Sequence, residues 1–210
     1  MRSIIGVLFL ILLINSGACF AYTPQSGNIS VVFGPSVRKT IFDDTRSGVD
    51  STYRSGVGLL ILGDANDRGS LEIGTFYMPK LFVREVEGNY LSQSSELLHI
   101  TLGYRYWPTT YFSTSLSFYS AYTIGSPSTE FSNLRPDQQQ STSAEDITEY
   151  GFDLSLMLQL WNSGSWGAML EGRYSQSVTS KTGESANDYS GMIGIHYLLQ
   201  AKRTKPGQIE

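Results

Sequence analysis

Phe152, Leu154, Leu156, Leu158 and Leu160 place an apolar residue at every second position, and Asp153, Ser155, Met157 and Gln159 between them are mostly not apolar. An alternation this long is a β-strand with different environments on its two faces. The run ends at Trp161, residues 162–165 read Asn, Ser, Gly, Ser, and a second alternating run starts at Trp166. Tryptophans on both sides of a short turn suit a hairpin tip at a membrane–water boundary, where an amphipathic ring is most stable.

The other end of the chain carries an export signal. Arg2 precedes an apolar run over residues 4–14, and small residues follow up to Ala21. This is the charged start, apolar middle and small-residue end of a signal peptide, too short to span a membrane as a helix. Cleavage after Ala21 is expected, making 1–21 a signal peptide. The alternative is lipidation of Cys19 within Ser16-Gly17-Ala18-Cys19, where Ser16 stands in place of the usual leucine. Cleavage after Ala21 leaves 189 residues with a net charge of −5 and no cysteine, so no disulfide or thiolate chemistry. The acidic balance argues against nucleic acid as a partner. No later segment is apolar enough for a transmembrane helix. Membrane entry therefore requires a closed barrel, because backbone groups in lipid must all be paired.

Eight strands are predicted, at about 28–37, 55–63, 70–83, 96–107, 111–124, 150–161, 166–177 and 189–199. The connections at 64–69, 108–110 and 162–165 are short and rich in turn formers. Those at 38–54, 84–95, 125–149 and 178–188 are longer. Strict alternation sends all long loops to one end, the external one, and an even strand count leaves both termini periplasmic. The outward positions of the third, fourth, sixth, seventh and eighth strands number 25, and none is Asp, Glu, Lys or Arg. The chain's 16% charged content would place about four there by chance, and one Arg or Lys at mid-membrane costs roughly 2–4 kcal/mol. Around the short turns stand Tyr106, Trp107, Tyr111, Phe112, Trp161 and Trp166, read as an aromatic girdle.

The opposite faces carry Glu72, Lys80, His99, Arg105, Asp153, Glu171, Arg173 and His196. An eight-stranded barrel is only wide enough for side chains to fill it, and charges there must be paired. Glu72, His99, Arg105, Asp153, Glu171, Arg173 and His196 are expected to form a lumenal polar network, with Arg105 and Arg173 bonding the three carboxylates. A gated narrow ion path through that network is the functional alternative to a polar plug.

His99 and His196 are the only histidines. A lipid-modifying enzyme would need one near the outer leaflet beside a serine, and neither meets that requirement. Residues 64–69 begin like a calcium loop, but Arg68 takes a ligand position and Thr75 stands where a bidentate Glu is needed. No cofactor or metal site is expected. Loop 125–149 is acidic, with Glu130, Asp137, Glu145, Asp146 and Glu149 against Arg135 alone, and carries Gln138, Gln139 and Gln140. It reads as a solvated loop, or as a recognition surface for an external partner or for cations bridging to lipopolysaccharide phosphates.

The layout resembles the small eight-stranded outer-membrane barrels, the OmpA/OmpX-type domains, over essentially the whole mature chain. In that family the last strand ends in an aromatic residue and is read by the assembly machinery. Residues 191–199 resemble that strand but end in Leu199, followed by an 11-residue tail containing Lys202, Arg203 and Lys205. The tail is too short for a peptidoglycan-binding domain. The expectation is an all-β fold: an eight-stranded antiparallel up-and-down transmembrane β-barrel over 22–199, with short periplasmic turns, long external loops and a periplasmic tail at 200–210. Its partners would be outer-membrane lipid and lipopolysaccharide, the assembly machinery, and an external partner through 125–149. Its role would be non-enzymatic, structural or surface-interacting. A narrow solute channel and a lipid A-modifying enzyme are the alternatives.

Overall fold

A computed structural model of the protein describes residues 22–42, 52–135 and 141–199. The leader, Gln138–Gln140 of the acidic loop and the 200–210 tail lie outside the described residues. The strands are β1 (Ile29–Thr40), β2 (Arg54–Asn66), β3 (Gly69–Val86), β4 (Asn89–Tyr106), β5 (Phe112–Ser132), β6 (Thr148–Ser163), β7 (Trp166–Ser177), a two-residue β8 (Glu184–Ser185) and β9 (Asp188–Leu199). The eight long strands pair antiparallel in a closed ring, each with its chain neighbours, and β1 closes the ring against β9.

The register fixes the barrel's size. From Gly69 it runs through Tyr106, Thr114, Leu156, Gly172, Gly191 and Val37 to Ser55. Continuing the Val57–Tyr77 pairing brings Ser55 level with Pro79, ten residues beyond Gly69 on the same strand. An eight-stranded barrel with that stagger has strongly tilted strands and room inside for side chains only. Close approach between β1 and β9 explains Gly34, where a Cβ would lie 1.9 Å from the Ile193 carbonyl oxygen.

Alternation sorts the two faces. Leu102, Leu116, Ile193 and Ile195 point outward and are 60–64% exposed, whereas Glu72, Arg105 and Asp153 point inward and are fully buried. A water-soluble barrel would reverse this order. The apolar exterior, polar interior and fully paired ring make a membrane-spanning barrel.

The structure differs from the sequence reading at the external end. Residues 84–95 are not a loop. β3 and β4 continue past the membrane and join through Glu87 and Gly88, with φ of 52° and 78°, the paired left-handed conformations of a tight hairpin turn. β5 likewise continues to Ser132 through a bulge at Gly125 (φ 84°). The three strands form a fin above the barrel, whose outward-facing Leu81 and Val83 are covered with Tyr90 by Phe42 and Phe131. β8, inside the predicted 178–188 loop, pairs with β3 at Val83 and Arg84.

Candidate functional site: the lumenal charge network and its two plugs

β3, β4, β6 and β7 each turn charged residues inward at neighbouring heights, and these meet at the barrel's axis. The Arg105 Nε donates to Glu72 Oε2 (2.7 Å), Nη2 to Glu171 Oε2 (2.7 Å) and Ser155 Oγ (2.9 Å), and Nη1 to Ser113 Oγ (3.0 Å). Arg173 donates to Glu72 Oε1 (2.8 Å), Asp153 Oδ2 (2.9 Å) and Glu171 Oε1 (2.7 Å), and its guanidinium lies 4.9 Å from the Phe76 ring centroid. Two planar guanidinium forks thus hold three carboxylates, the geometry arginine supplies and lysine does not.

His99 extends the network upward. Its Nε2 lies 2.9 Å from Asp153 Oδ2 and its Nδ1 3.3 Å from Arg38 Nη2. A guanidinium only donates, so Nδ1 accepts, Nε2 carries the proton and the ring is neutral. Its face stacks on Tyr119 at 4.2 Å. Arg38 also meets Asp188 at 3.0 Å. Lys80 donates to Glu149 at 2.5 Å and lies 3.4 Å from Asp188, while the Tyr119 hydroxyl donates to Glu149 at 2.6 Å.

Six of the seven residues predicted for the network therefore come together. His196 does not. It is buried lower in the lumen, edge-on to Tyr22 at 4.9 Å, and among the described residues its Nδ1 has no hydrogen-bond partner. Sequence reasoning left Arg38, Glu149 and Asp188 out of the network, each placed in a loop one residue from a predicted strand end. Lys80 reads from the sequence as inward-facing but not as a member of the network.

The periplasmic end is closed by residues just ahead of β1. Tyr22 packs on Trp107 at 4.9 Å and donates to Asp64 Oδ2 at 2.6 Å. Asp64 also accepts from the Gln25 amide and the Ser70 hydroxyl. Burial, then the adjacent Asp64 carboxylate, push the Tyr22 hydroxyl above its ordinary pKa, so it remains a donor. Trp107 is a correction to the predicted girdle. It is buried inside, its Nε1 donating to Ser70 Oγ at 3.1 Å. The parity of β4 already signals this, because Trp107 follows inward-facing Arg105 by two. Tyr106, Tyr111, Trp161 and Trp166 do face outward, and Phe112 is half-buried.

The external end is closed by residues 141–146. Thr142 caps the short 3-10 turn Ser143–Glu145, and its backbone amide and hydroxyl both donate to Gln93. Ala144 is buried among Phe82, Leu97, Tyr119 and Ala121. Ser143 donates to Glu184, Arg84 donates to the Ser141 carbonyl, and Lys181 donates to the Thr142 carbonyl.

No protein-family model and no curated protein matches the chain. Among solved structures it is similar to the outer-membrane protein OprG from Pseudomonas aeruginosa, at 11% identity and a TM-score of 0.55, over 85% of this chain and 98% of that one. The fold is that of the small eight-stranded outer-membrane barrels. The chain is also similar to Ail, the attachment invasion locus protein of Yersinia pestis, in complex with the heparin analogue sucrose octasulfate (13% identity, TM-score 0.49, 83% of this chain and 100% of that one). The outer-membrane protein AlkL gives 10% identity and a TM-score of 0.37, over 90% of this chain and 97% of that one.

Proposed function

We propose that this protein is a non-conducting, non-enzymatic barrel of the bacterial outer membrane that acts through its external surface. The observation that carries this reading is the blocked lumen. Tyr22 and Trp107 fill one end, residues 141–146 fill the other, and the Arg105–Arg173 network fills the middle. A pore needs a wet path, and a catalytic histidine needs substrate. His99 is enclosed at 1% exposure, with both ring nitrogens engaged.

The working surface is then the fin. Beyond Thr123, β5 pairs with β4 on one side, and among the described residues no strand lies against its other side. Residues 124–130 are largely exposed, and Arg54 holds the fin in place through both Glu130 oxygens at 2.7 Å. Exposed strand edges offer backbone groups to a partner. Loop 125–149 serves this role in part only, because Thr142, Ser143 and Ala144 turn inward as the plug. Lipid and lipopolysaccharide cover the apolar belt, and β9 is the strand offered to the assembly machinery.

Planar-bilayer recording of the refolded protein tests the reading. No stepwise current above leak is expected. Reproducible unitary conductance would overturn it in favour of a channel.

A further inference from the structure

On the outward faces of β1, β2, β6, β7 and β9, Lys39 is the one charged residue among those described. It stands at the external end, in a row of tyrosines set by the register. Lys39 pairs with Tyr189 and Tyr189 with Tyr174, and continuing the Arg38–Arg54 pairing brings Tyr53 to its other side. Outward tyrosines at that height mark the boundary between the outer leaflet and water. The Lys39 Nζ lies 5.5 Å from the Tyr53 ring centroid, and the Tyr53 and Tyr189 rings meet edge to face at 6.4 Å. Among the described residues no carboxylate pairs with Lys39, whereas its inward neighbour Arg38 meets Asp188. A cation held at a lipid boundary without a counter-ion is open to an anionic headgroup.

The same strands shape a cleft above this row and a trough below it. Ile41, Tyr174, Ser177, Glu184 and Asn187 line an open cleft of about 210 Å³. Ser177 is 8% exposed, and among the described residues its hydroxyl has no hydrogen-bond partner. A buried hydroxyl ordinarily has one, so this donor is left for an occupant of the cleft. The Glu184 carboxylate is engaged by the Ser143 hydroxyl and the Lys181 amide. The cleft is smaller than the roughly 300–1,000 Å³ that holds a whole drug-sized ligand, and suits one ring of a larger molecule. Hydroxyl, amide and phenol groups there match the hydroxyls of a sugar.

Below the row, Gly172 and Gly191 stand opposite each other on the lipid side of β7 and β9. A Cβ at Gly172 would meet no atom within 4 Å, and one at Gly191 none nearer than 3.7 Å. Packing within the barrel therefore requires neither glycine. Together they leave a trough in the lipid-facing wall directly beneath Tyr174 and Tyr189.

We infer that this face binds one phosphorylated glycolipid of the outer leaflet. Its phosphate meets Lys39 and the Tyr53 and Tyr189 hydroxyls, a sugar ring enters the cleft, and an acyl chain lies along the Gly172–Gly191 trough. This specifies the lipid contact that the reading above leaves general, and it holds whether or not the lumen conducts.

The test is native mass spectrometry of the full mature chain refolded in detergent, titrated with diphosphoryl lipid A. One lipid should remain bound per protein. Lys39→Gln should raise the apparent Kd about tenfold, and Gly172→Leu, which fills the trough with an apolar side chain, by a similar factor. Phosphatidylglycerol, anionic but without a sugar, should bind about tenfold more weakly. An unchanged Kd in either variant, or phosphatidylglycerol held as tightly as lipid A, would overturn the site. Both substituted side chains point away from the lumen, so both variants should fold, and retained heat-modifiability separates loss of binding from loss of fold.

Discussion

Arg105 shows why a barrel this narrow tolerates charge at its centre. Its guanidinium meets Glu72, Glu171, Ser113 and Ser155 with no exposed surface. Removing one partner of such a pair leaves buried carboxylates uncompensated, at a cost of about 3–5 kcal/mol. Arg105→Ala should therefore lower the free energy of unfolding in detergent by an amount of that order, read as a lower urea midpoint. An unchanged midpoint would contradict the plug. The inward side chains of β3, β4, β6 and β7 were legible as network members because strict alternation fixes their face. Arg38, Glu149 and Asp188 were not, because strand ends are uncertain by one or two residues and a charged residue there reads as loop. His196 was assigned the right face but the wrong neighbours, since parity gives direction and not height.

At the scale of the strand, alternation persisted wherever lipid lay on one side and the polar lumen on the other. Leu156 sits on β6, outward and half exposed, between inward Ser155 and Met157. Leu156→Arg should cost roughly 2–4 kcal/mol at the bilayer midplane. A reduced folded fraction in lipid vesicles would show this, and an unchanged fraction would place β6 away from the lipid core. Above the membrane the rule fails for a physical reason. Leu81, Phe82 and Val83 are consecutive and all buried, because Phe42 covers one side of β3 and Ala144 the other. A strand covered on both faces has no alternation to read, yet 81–83 still fall inside the predicted third strand; the rest of the fin, 84–95 and 125–132, is mostly polar because no lipid lies against it, and so reads in the sequence as loops.

For the whole molecule, ring closure unites these observations. Eight antiparallel strands with β1 against β9 leave no edge in the membrane. The strand count and the inside–outside order were legible from hairpin spacing and from the absence of charge on the lipid face. The two plugs were not, because they depend on Tyr22 and on residues 141–146 meeting strands distant in the sequence. The protein is a closed barrel with its apolar face outward, and gel mobility after refolding in detergent, with and without boiling, separates that arrangement from a water-soluble one. The closed barrel predicts faster migration before boiling and a shift on heating. No shift, together with a folded protein soluble without detergent, would contradict it and invert the two faces.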